Sequence, residues 1–286
     1  MSIQWYPGHM AKARREFQEK LKLVDIVFEL LDARIPYSSR NPDLDKLINQ
    51  KPRVVILTKR DLADPKVTAQ WIRHYEKQGV AAIAIDAQEG KGIKDVIILA
   101  KKVLEPKMAK IRAKGMKPRA IRAVAVGIPN VGKSTLLNRF AHKNIARTGN
   151  KPGVTKAQQW IKYGKELELL DTPGILWPKF EDEVVGKNLA LTGAIKDTLL
   201  RLDDIALYGM EMLVQHYPGA ISRRYDFDQA EETELSLPDL LIKISDKRGF
   251  LGNHERAAEM FLFELRRGTL GRFSFDFVDD ELDADD

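Results

Sequence analysis

The octapeptide at residues 127–134 constrains the fold of this chain more than any other feature. It reads Gly-Ile-Pro-Asn-Val-Gly-Lys-Ser and is a full match to the phosphate-binding pattern G-x-x-x-x-G-K-[ST]. A predicted strand at 122–126, apolar from Ala123 onward, precedes it and a helical pattern begins at Lys133, so the loop lies between a strand and a helix. In that setting the glycines let backbone N–H groups surround phosphate oxygens at the positive end of a helix. A chance glycine-rich turn is the weaker alternative.

The residues of this loop have separate predicted roles. Lys133 reaches the β- and γ-phosphates of a nucleoside triphosphate, and Ser134 supplies a hydroxyl to Mg²⁺. The predicted nucleotide contacts of the loop and the helix start are Asn130, Val131, Gly132, Lys133, Ser134 and Thr135.

Two elements that follow the loop are typical of a nucleotide switch. Residues 171–174 read Asp-Thr-Pro-Gly after a predicted strand, so Asp171 can hold a water of Mg²⁺ and the Gly174 amide can sense a γ-phosphate. Thr155, in the Pro-Gly-Val-Thr loop at 152–155, can complete the metal shell when triphosphate is bound. Each motif is a weak signal alone. Their order and spacing after a phosphate loop indicate a nucleotide switch.

Selection of the base requires a further element, which the sequence offers upstream. Thr58, Lys59, Arg60 and Asp61 follow a predicted strand at 54–57. An aspartate there can accept hydrogen bonds from the N1–H and the exocyclic amine of guanine, a donor pair that adenine lacks. The aliphatic stem of Lys59 can pack across the base. Without the phosphate loop, this Thr-Lys-Arg-Asp segment would be read as an ordinary surface turn.

Asp86 and Ala87 directly follow the next predicted strand, at 80–85. This position suits a backbone N–H that donates to the guanine oxygen. We therefore predict that the ends of the second and third strands form a guanine site.

Strands and helices alternate along the first part of the chain, which predicts an α/β fold with a mainly parallel sheet and helices on both faces. Predicted strands lie at 24–31, 54–57, 80–85, 122–126 and 167–170, and predicted helices at 10–23, 66–78, 92–104 and from 133. After about residue 180 the pattern becomes helical. We predict two domains, 1–178 and 179–286.

Charge is divided unevenly between these two parts. Residues 1–178 hold 34 of the 47 Lys and Arg and 17 of the 41 Asp and Glu, a net charge of +17, and residues 179–286 carry −11. Between 101 and 122 nine residues are basic and one is acidic. This composition predicts a linker or surface helix that can lie on nucleic acid, and a solvated connector is an equal alternative on charge alone. The last eleven residues, 276–286, hold seven acids and predict a disordered tail.

Composition excludes several function classes. The chain has no cysteine, which excludes disulfides, thiolate metal sites and cysteine nucleophiles. It shows neither a secretory signal nor an apolar run long enough to span a membrane, so we expect a cytoplasmic protein with no membrane partner.

The ensemble of motifs resembles the circularly permuted GTPases of the translation-factor class, the YlqF/YawG type. The base-reading segments 58–61 and 86–87 precede the phosphate loop, which is the permuted order. Further similarity lies in Trp-Tyr-Pro-Gly-His-Met at 5–10, Asp-Ala-Arg-Ile-Pro at 32–36 and Asp-Thr-Pro-Gly-Ile-Leu at 171–176. The resemblance implies a P-loop GTPase domain with permuted motif order and a smaller, mostly α-helical C-terminal domain.

The same resemblance implies a function. It implies a GTP hydrolase, stimulated by the ribosome, that acts in late maturation of the large ribosomal subunit. Its C-terminal domain would contact ribosomal RNA, and the protein is expected to be a monomer when free. The alternative is a nucleotide-gated RNA-binding placement factor whose hydrolysis is incidental. An RNA-modifying enzyme finds no support in the residues, and a small-molecule kinase would leave the Thr-Lys-Arg-Asp segment without a purpose.

Two positions depart from the wider GTPase pattern. Thr58 stands where asparagine is usual, so its contact to the base is weakened or changed. Ile175 stands where Ras-like proteins have a water-orienting glutamine. His9 is the candidate substitute that would position water, and its alternatives are a helix cap or an RNA contact. Asn130 resembles the asparagine of GTPases activated by K⁺.

Basic and aromatic residues of the second part are candidate RNA contacts, with helix-end charges and core aromatics as the alternative for most. They are Lys243, Lys247, Arg248, Arg266, Arg267, Arg272, Phe250 and Phe273. Because the second switch directly precedes residue 180, its movement could also be passed to this domain.

Overall fold

A six-stranded sheet organises the first part of the chain. The computed structural model describes residues 15, 17–116, 119–141, 160–171 and 182–278. The strands are β1 (Ile26–Asp32), β2 (Arg53–Thr58), β3 (Ala81–Ala84), β4 (Ile121–Gly127), β5 (Trp160–Tyr163) and β6 (Leu167–Leu170). Their order is β3-β2-β1-β4-β6-β5, and every neighbouring pair is parallel except β5 with β6. The predicted mainly parallel sheet is confirmed, and β5 is an edge strand that we did not predict.

Helices cover both faces of this sheet, which explains why the central strand β1 is buried along its whole length. The helices of this part are α1 (Leu44–Ile48), α2 (Pro65–Lys77), α3 (Ile93–Ala113) and α4 (Lys133–Ala141). Alternate residues of β1 enter different clusters: Phe28 joins the α3 and α4 side, whereas Val27 packs with Phe17 on the opposite face. Of the predicted N-terminal helix, the structure describes helical residues at 15 and 17–21.

The basic segment at 101–122 is mainly the surface of a helix, because α3 continues to Ala113. Five of its cations form ion pairs. Lys107 and Arg119 contact the buried Asp25 at 2.7 and 2.8 Å, and the other three are Lys101 with Glu166, Arg112 with Glu105, and Arg122 with Glu168. This pairing ties the segment to the sheet and reduces the charge it can offer a polyanion.

The second part is helical, as predicted. Its elements are α5 (Glu183–Leu191), a 3₁₀ turn (Asp197–Leu199), α6 (Leu202–His216), α7 (Ala220–Tyr225), α8 (Gln229–Glu234), α9 (Leu237–Lys247) and α10 (His254–Arg267). One apolar cluster includes Ile26 and Phe28 of the sheet together with Leu189 of α5 and Phe261 of α10. The sheet and the helices therefore share a continuous core. No described helix combines the length and apolarity needed to cross a bilayer.

The chain returns from the helices to the sheet over residues 272–278, which we call the C-terminal segment. The Phe273 amide donates to Leu62 O at 3.0 Å and the Phe275 amide to Arg34 O at 2.7 Å. Asp276 is 5% exposed. The prediction of a disordered tail that starts at 276 is therefore wrong for its first residue, since the Asp276 carboxylate is held by buried donors. Residues 279–286 lie outside the described part.

Candidate nucleotide-binding site

The phosphate loop joins β4 to α4 in the strand–loop–helix arrangement that the motif requires. A Cβ atom at Gly127 would lie 2.8 Å from Leu30 O and 2.9 Å from the Val131 side chain, so only glycine allows β4 to approach β1 there. Gly132 has φ +101°, which L side chains rarely adopt. These two glycines shape the turn that brings the backbone into the N-terminus of α4, where an anion is favoured.

Lys133 and Asp171 meet at the start of α4. The Lys133 ammonium lies 2.6 Å from Asp171 Oδ1, and Lys20 donates to the Asp171 carbonyl at 2.9 Å. Asp171 follows β6, the neighbour of β4. The predicted phosphate-binding lysine and the predicted Mg²⁺-water residue are thus brought together, beside Ser134 of the same helix.

Thr58 contacts the phosphate loop. Its hydroxyl lies 2.5 Å from Val131 O and 3.0 Å from Leu31 O, and the residue is 1% exposed. A hydroxyl carries a single proton, so it can donate to one of these carbonyls at a time. The threonine that replaces asparagine therefore ties β2 to the phosphate loop.

A cavity of about 230 Å³ opens between the phosphate loop and the ends of β2 and β3. It has the concave form expected of a small-molecule site. Its lining consists of Arg34, Thr58, Lys59, Asp61, Leu62, Asp86, Ala87, Gln88, Gly132, Thr135, Thr192 and Arg266. The predicted guanine-reading residues and part of the phosphate loop therefore share one cavity.

Asp61 and Asp86 bring two carboxylates to this cavity. Burial raises the pKa of Asp61, and the neighbouring charge of Asp86 raises it further, while Arg34 and Arg272 act in the opposite direction. Asp86 Oδ1 accepts from the amides of Gln88 and Glu89, both at 2.9 Å. These bonds fix the Asp86 carboxylate, and among the described residues the Ala87 N–H donates no hydrogen bond.

Lys59 lies at the turn beside the cavity, and its backbone has a left-handed conformation with φ 55°. Its ammonium lies 2.8 Å from Asp32 Oδ2 at the end of β1. Anchoring the ammonium there leaves the aliphatic stem along the cavity wall, where it can cover a base. Burial lowers the pKa of Lys59, and the Asp32 carboxylate opposes this shift.

Not every predicted residue is placed at the site. The Arg60 guanidinium donates to Ala84 O at 3.2 Å and is absent from the cavity lining. The Asn130 side chain donates to Gly193 O at 3.3 Å. His9, Thr155 and Gly174 lie outside the described residues, and so does Ile175.

Three residues of the cavity were missed because they come from distant segments. Arg34 belongs to the Asp-Ala-Arg-Ile-Pro segment, which the sequence marked only as a resemblance. Thr192 follows α5, and Arg266 lies in the last turn of α10, where the sequence predicted it as an RNA contact. A basic residue next to a helix terminus carries no local signal that it will line a site elsewhere.

The end of α5 is held at the site through four successive carbonyls, residues 190–193, which we call the α5 carbonyl segment. Arg266 donates to Ala190 O and Leu191 O at 2.9 and 3.1 Å. Arg34 donates to Thr192 O at 3.1 Å, and Asn130 takes Gly193 O. The helical part, the loop after β1 and the phosphate loop therefore meet beside the cavity.

Other candidate RNA contacts are also occupied within the protein. Arg272 donates to Ala63 O and Arg60 O, and Phe273 is buried against Tyr217. Lys243 pairs with Glu231. For Phe273 the alternative of a core aromatic is correct.

Comparisons with known proteins agree with this geometry. Ribosome biogenesis GTPase A of Priestia megaterium is 57% identical over 282 residues, which cover 96% of this chain and 97% of that protein. The chain belongs to the ribosome biogenesis GTPase A family. The family member of Thermotoga maritima is 31% identical over 97% of this chain and 95% of its own length. A model described as a 50S ribosome-binding GTPase matches residues 122–223.

Solved structures of the family share the fold. A GNP-bound YlqF of T. maritima is similar with a TM-score of 0.65 and 27% identity, covering 93% of this chain and 98% of that one. A GDP-bound YlqF structure gives the same TM-score at 28% identity. The permuted GTPase fold is confirmed. Membership of a GTPase family makes GTP the substrate, with Mg²⁺ as its usual companion, and the Lys133, Ser134 and Asp171 donor set fits both.

Proposed function

We propose that this protein is a GTPase of late large-subunit (50S) assembly that acts in the cytoplasm. It binds the pre-subunit and its rRNA in the GTP state and leaves on hydrolysis. The observation that carries the proposal is similarity along nearly the whole chain to proteins named for ribosome biogenesis. The description of the matching family model supports the large subunit as the partner.

In this proposal the two ends of the nucleotide are read by different strands. Asp61 accepts from guanine, the Ala87 amide donates to the guanine oxygen, and the Lys59 stem covers the base. Lys133 exchanges its contact with Asp171 for the β- and γ-phosphates. Ser134 and Thr155 would hold Mg²⁺, and Asp171 would hold one of its waters; the bound ion would supply positive charge opposite the phosphates.

RNA contact is proposed for the exposed basic residues that the protein does not use internally. In the described part of the basic segment 101–122 these are Lys102, Lys110 and Lys114, which form no ion pair with any described residue. Each lysine that neutralises a phosphate releases condensed counterions, so this contact should weaken as salt rises.

GTP turnover in K⁺ buffer, measured alone and with added large or small ribosomal subunits, tests the proposal. We expect slow basal turnover that rises strongly with the large subunit only, and Lys133→Ala serves as the inactive control. Stimulation by the small subunit to the same degree would contradict the large-subunit assignment. Nucleotide-dependent binding to the large subunit without stimulation would favour the placement factor.

Two residues refine the proposed hydrolysis. His9 is proposed to position the attacking water in place of the apolar Ile175, so His9→Ala should abolish most subunit-stimulated turnover. A loss of only a few-fold would argue against that role. Asn130 is proposed to help hold K⁺ near the β- and γ-phosphates, and equal rates in Na⁺ and K⁺ would remove it.

A further inference from the structure

We infer that one side of helix α10 and the turn before it form a site for unpaired RNA bases, which stack on exposed apolar and guanidinium groups. This side consists of Arg256, Met260, Phe263 and Arg267, which we call the outer face of α10, and the turn spans residues 250–253. The inference rests on the proposed rRNA partner. It states where the helical part contacts RNA and which form of RNA it binds.

Leu251 is the most unusual residue of this surface. Its side chain is 94% exposed, and its backbone has φ 52°, a left-handed conformation that a leucine rarely adopts. Gly252 follows with φ 77°, and the Asn253 amide donates to Phe250 O at 3.0 Å, which closes a tight turn. An exposed leucine in a strained conformation adds nothing to the stability of the fold, and such outliers cluster at binding sites.

Helix α10 also carries an apolar residue on its outer face. Its inner side packs into the core through residues that include Ala258, Phe261 and Leu265. The outer-face residues recur at intervals of four, three and four positions, which places them together on one side of the helix. Phe263 is 54% exposed there. Because the inner side already supplies the core contacts, the exposed ring of Phe263 is available to a partner.

Arginines lie over both phenylalanine rings of this surface. The Arg256 guanidinium is 4.5 Å from the centre of the Phe250 ring, and the Arg267 guanidinium is 4.5 Å from the centre of the Phe263 ring. Neither arginine forms an ion pair with any residue that the structure describes. A stacked guanidinium keeps its charge for a phosphate and has a second planar face on which a base can stack.

This combination favours unpaired RNA over other partners. A double helix offers phosphates but keeps its base faces stacked inside, whereas an unpaired nucleotide offers a base face and a phosphate together. An apolar groove of a protein would match Leu251 and Phe263 and leave the two guanidinium groups unused. The contacts predicted at Arg266, Arg272 and Phe273 cannot replace this surface, because those side chains are engaged within the protein.

The test measures binding to a labelled RNA single strand of about 12 nucleotides, to the same strand in a duplex, and to purified large ribosomal subunits, across a series of salt concentrations. The variants are Leu251→Asn, Phe263→Ser and Arg256→Gln. The matched controls are Leu199→Ser, at a leucine that is 56% exposed on the 3₁₀ turn, and Arg73→Gln, at an exposed arginine of α2.

We expect the wild type to prefer the single strand to the duplex. Leu251→Asn and Phe263→Ser should bind the single strand about tenfold more weakly at every salt concentration, since each loses a stacking contact. Arg256→Gln should instead lower the slope of log affinity against log salt concentration by about 0.7, because one phosphate contact is lost. Both controls should bind as the wild type does.

Leu251→Asn separates binding from folding. Asparagine adopts the left-handed conformation more readily than leucine does, so the unfolding temperature should stay the same or rise while RNA binding falls. GDP affinity should be unchanged in all variants, because none of these residues lines the nucleotide cavity.

Unchanged single-strand binding in folded Leu251→Asn and Phe263→Ser would overturn the inference, and so would equal binding of strand and duplex by the wild type. Variants that lose the large subunit, beside a wild type that binds neither RNA probe, would assign the surface to a protein partner and also overturn it. A wild type that does not bind the large subunit in its GTP-analogue form would instead refute the proposed function.

Discussion

Asp276 accepts hydrogen bonds from both the amide and the hydroxyl of Ser38, at 2.6 and 2.8 Å, across 238 positions of sequence. The same carboxylate accepts from Asn188 Nδ2 at 2.7 Å, and the Asp276 carbonyl accepts from the Trp71 indole at 3.0 Å. One buried residue thus connects the loop after β1, helix α2 and helix α5. The C-terminal segment therefore holds these three elements together.

Replacing Asp276 by Asn should lower the free energy of unfolding by about 2 kcal/mol, because the new amide group presents donors to the donors of Ser38 or Asn188. Urea denaturation with an intrinsic fluorescence readout measures this change. The exposed Glu259→Gln on α10 should stay within about 0.5 kcal/mol of the wild type. Equal stabilities of the two variants would contradict the structural role of Asp276.

Acid should weaken the protein partly through Asp25. Burial opposes its ionisation, but hydrogen bonds from Arg119 and Lys107 outweigh this and lower the pKa from 3.8 to about 2. A depressed folded-state pKa adds stability above pH 3.8 that is lost as pH falls toward 2. Because both partners are half-exposed, we expect about 1–2 kcal/mol.

Unfolding of Asp25→Asn should therefore depend less steeply on pH over that interval than unfolding of the wild type. Asp95→Asn, at an exposed position of α3, is the control and should follow the wild-type curve. Parallel curves for wild type and Asp25→Asn would show that the pair with Arg119 contributes nothing.

Asp61→Asn should convert base preference from guanine to xanthine. The amide replaces an acceptor by a donor, which suits the C2 carbonyl of xanthine and opposes the amine of guanine. With about 3 kcal/mol at stake, the ratio of XDP to GDP affinity should rise at least about 100-fold. Competition binding measures the ratio, and an unchanged ratio would place the base elsewhere.

Thr58→Val keeps the shape of the side chain and removes the hydroxyl that holds Val131 O. We expect GDP affinity to fall about five- to tenfold, since the phosphate loop loses a buried bond worth about 1 kcal/mol. Thr58→Ser retains the hydroxyl and should bind nearly as the wild type does. Similar losses in both variants would assign the effect to packing.

The α5 carbonyl segment predicts that the helical part responds to the nucleotide. Hydrogen exchange over residues 182–278 should differ between GTP-analogue and GDP complexes, most strongly at the C-terminal end of α5, where Asn130 holds Gly193 O. Identical protection in both complexes would refute the coupling of the second switch to this domain.

Much of the fold could be predicted because its signals are local. The apolar runs of β1, β2 and β4 and the glycine pattern at 127–132 determine their own structure. The four-residue β5 was missed, since a short half-exposed edge strand has too few residues to show a period.

The residues of the site that belong to sequence motifs were predicted, and those that lie outside the motifs were missed. Arg34 and Arg266 are held at the cavity by bonds to the α5 carbonyl segment, and these bonds join residues 158, 75 and 76 positions apart, which leaves no periodic trace in the sequence. Asp276 was assigned to a tail by its acidic neighbours, yet its burial depends on Ser38. The composition of a segment indicates its average tendency to be exposed. The burial of a single carboxylate depends on the hydrogen-bond donors that surround it.

The bond between Ser38 and Asp276 also bears on the order of folding. Contacts that close long loops form late because the chain must first lose the entropy of bringing distant segments together. The central strands and the separate helices can form from nearer neighbours, while the loop that carries Arg34 is supported by a segment about 240 residues away. We therefore expect the cavity wall to form after the sheet during folding. A chain that binds guanine has then completed the folding of both its first and its last segments.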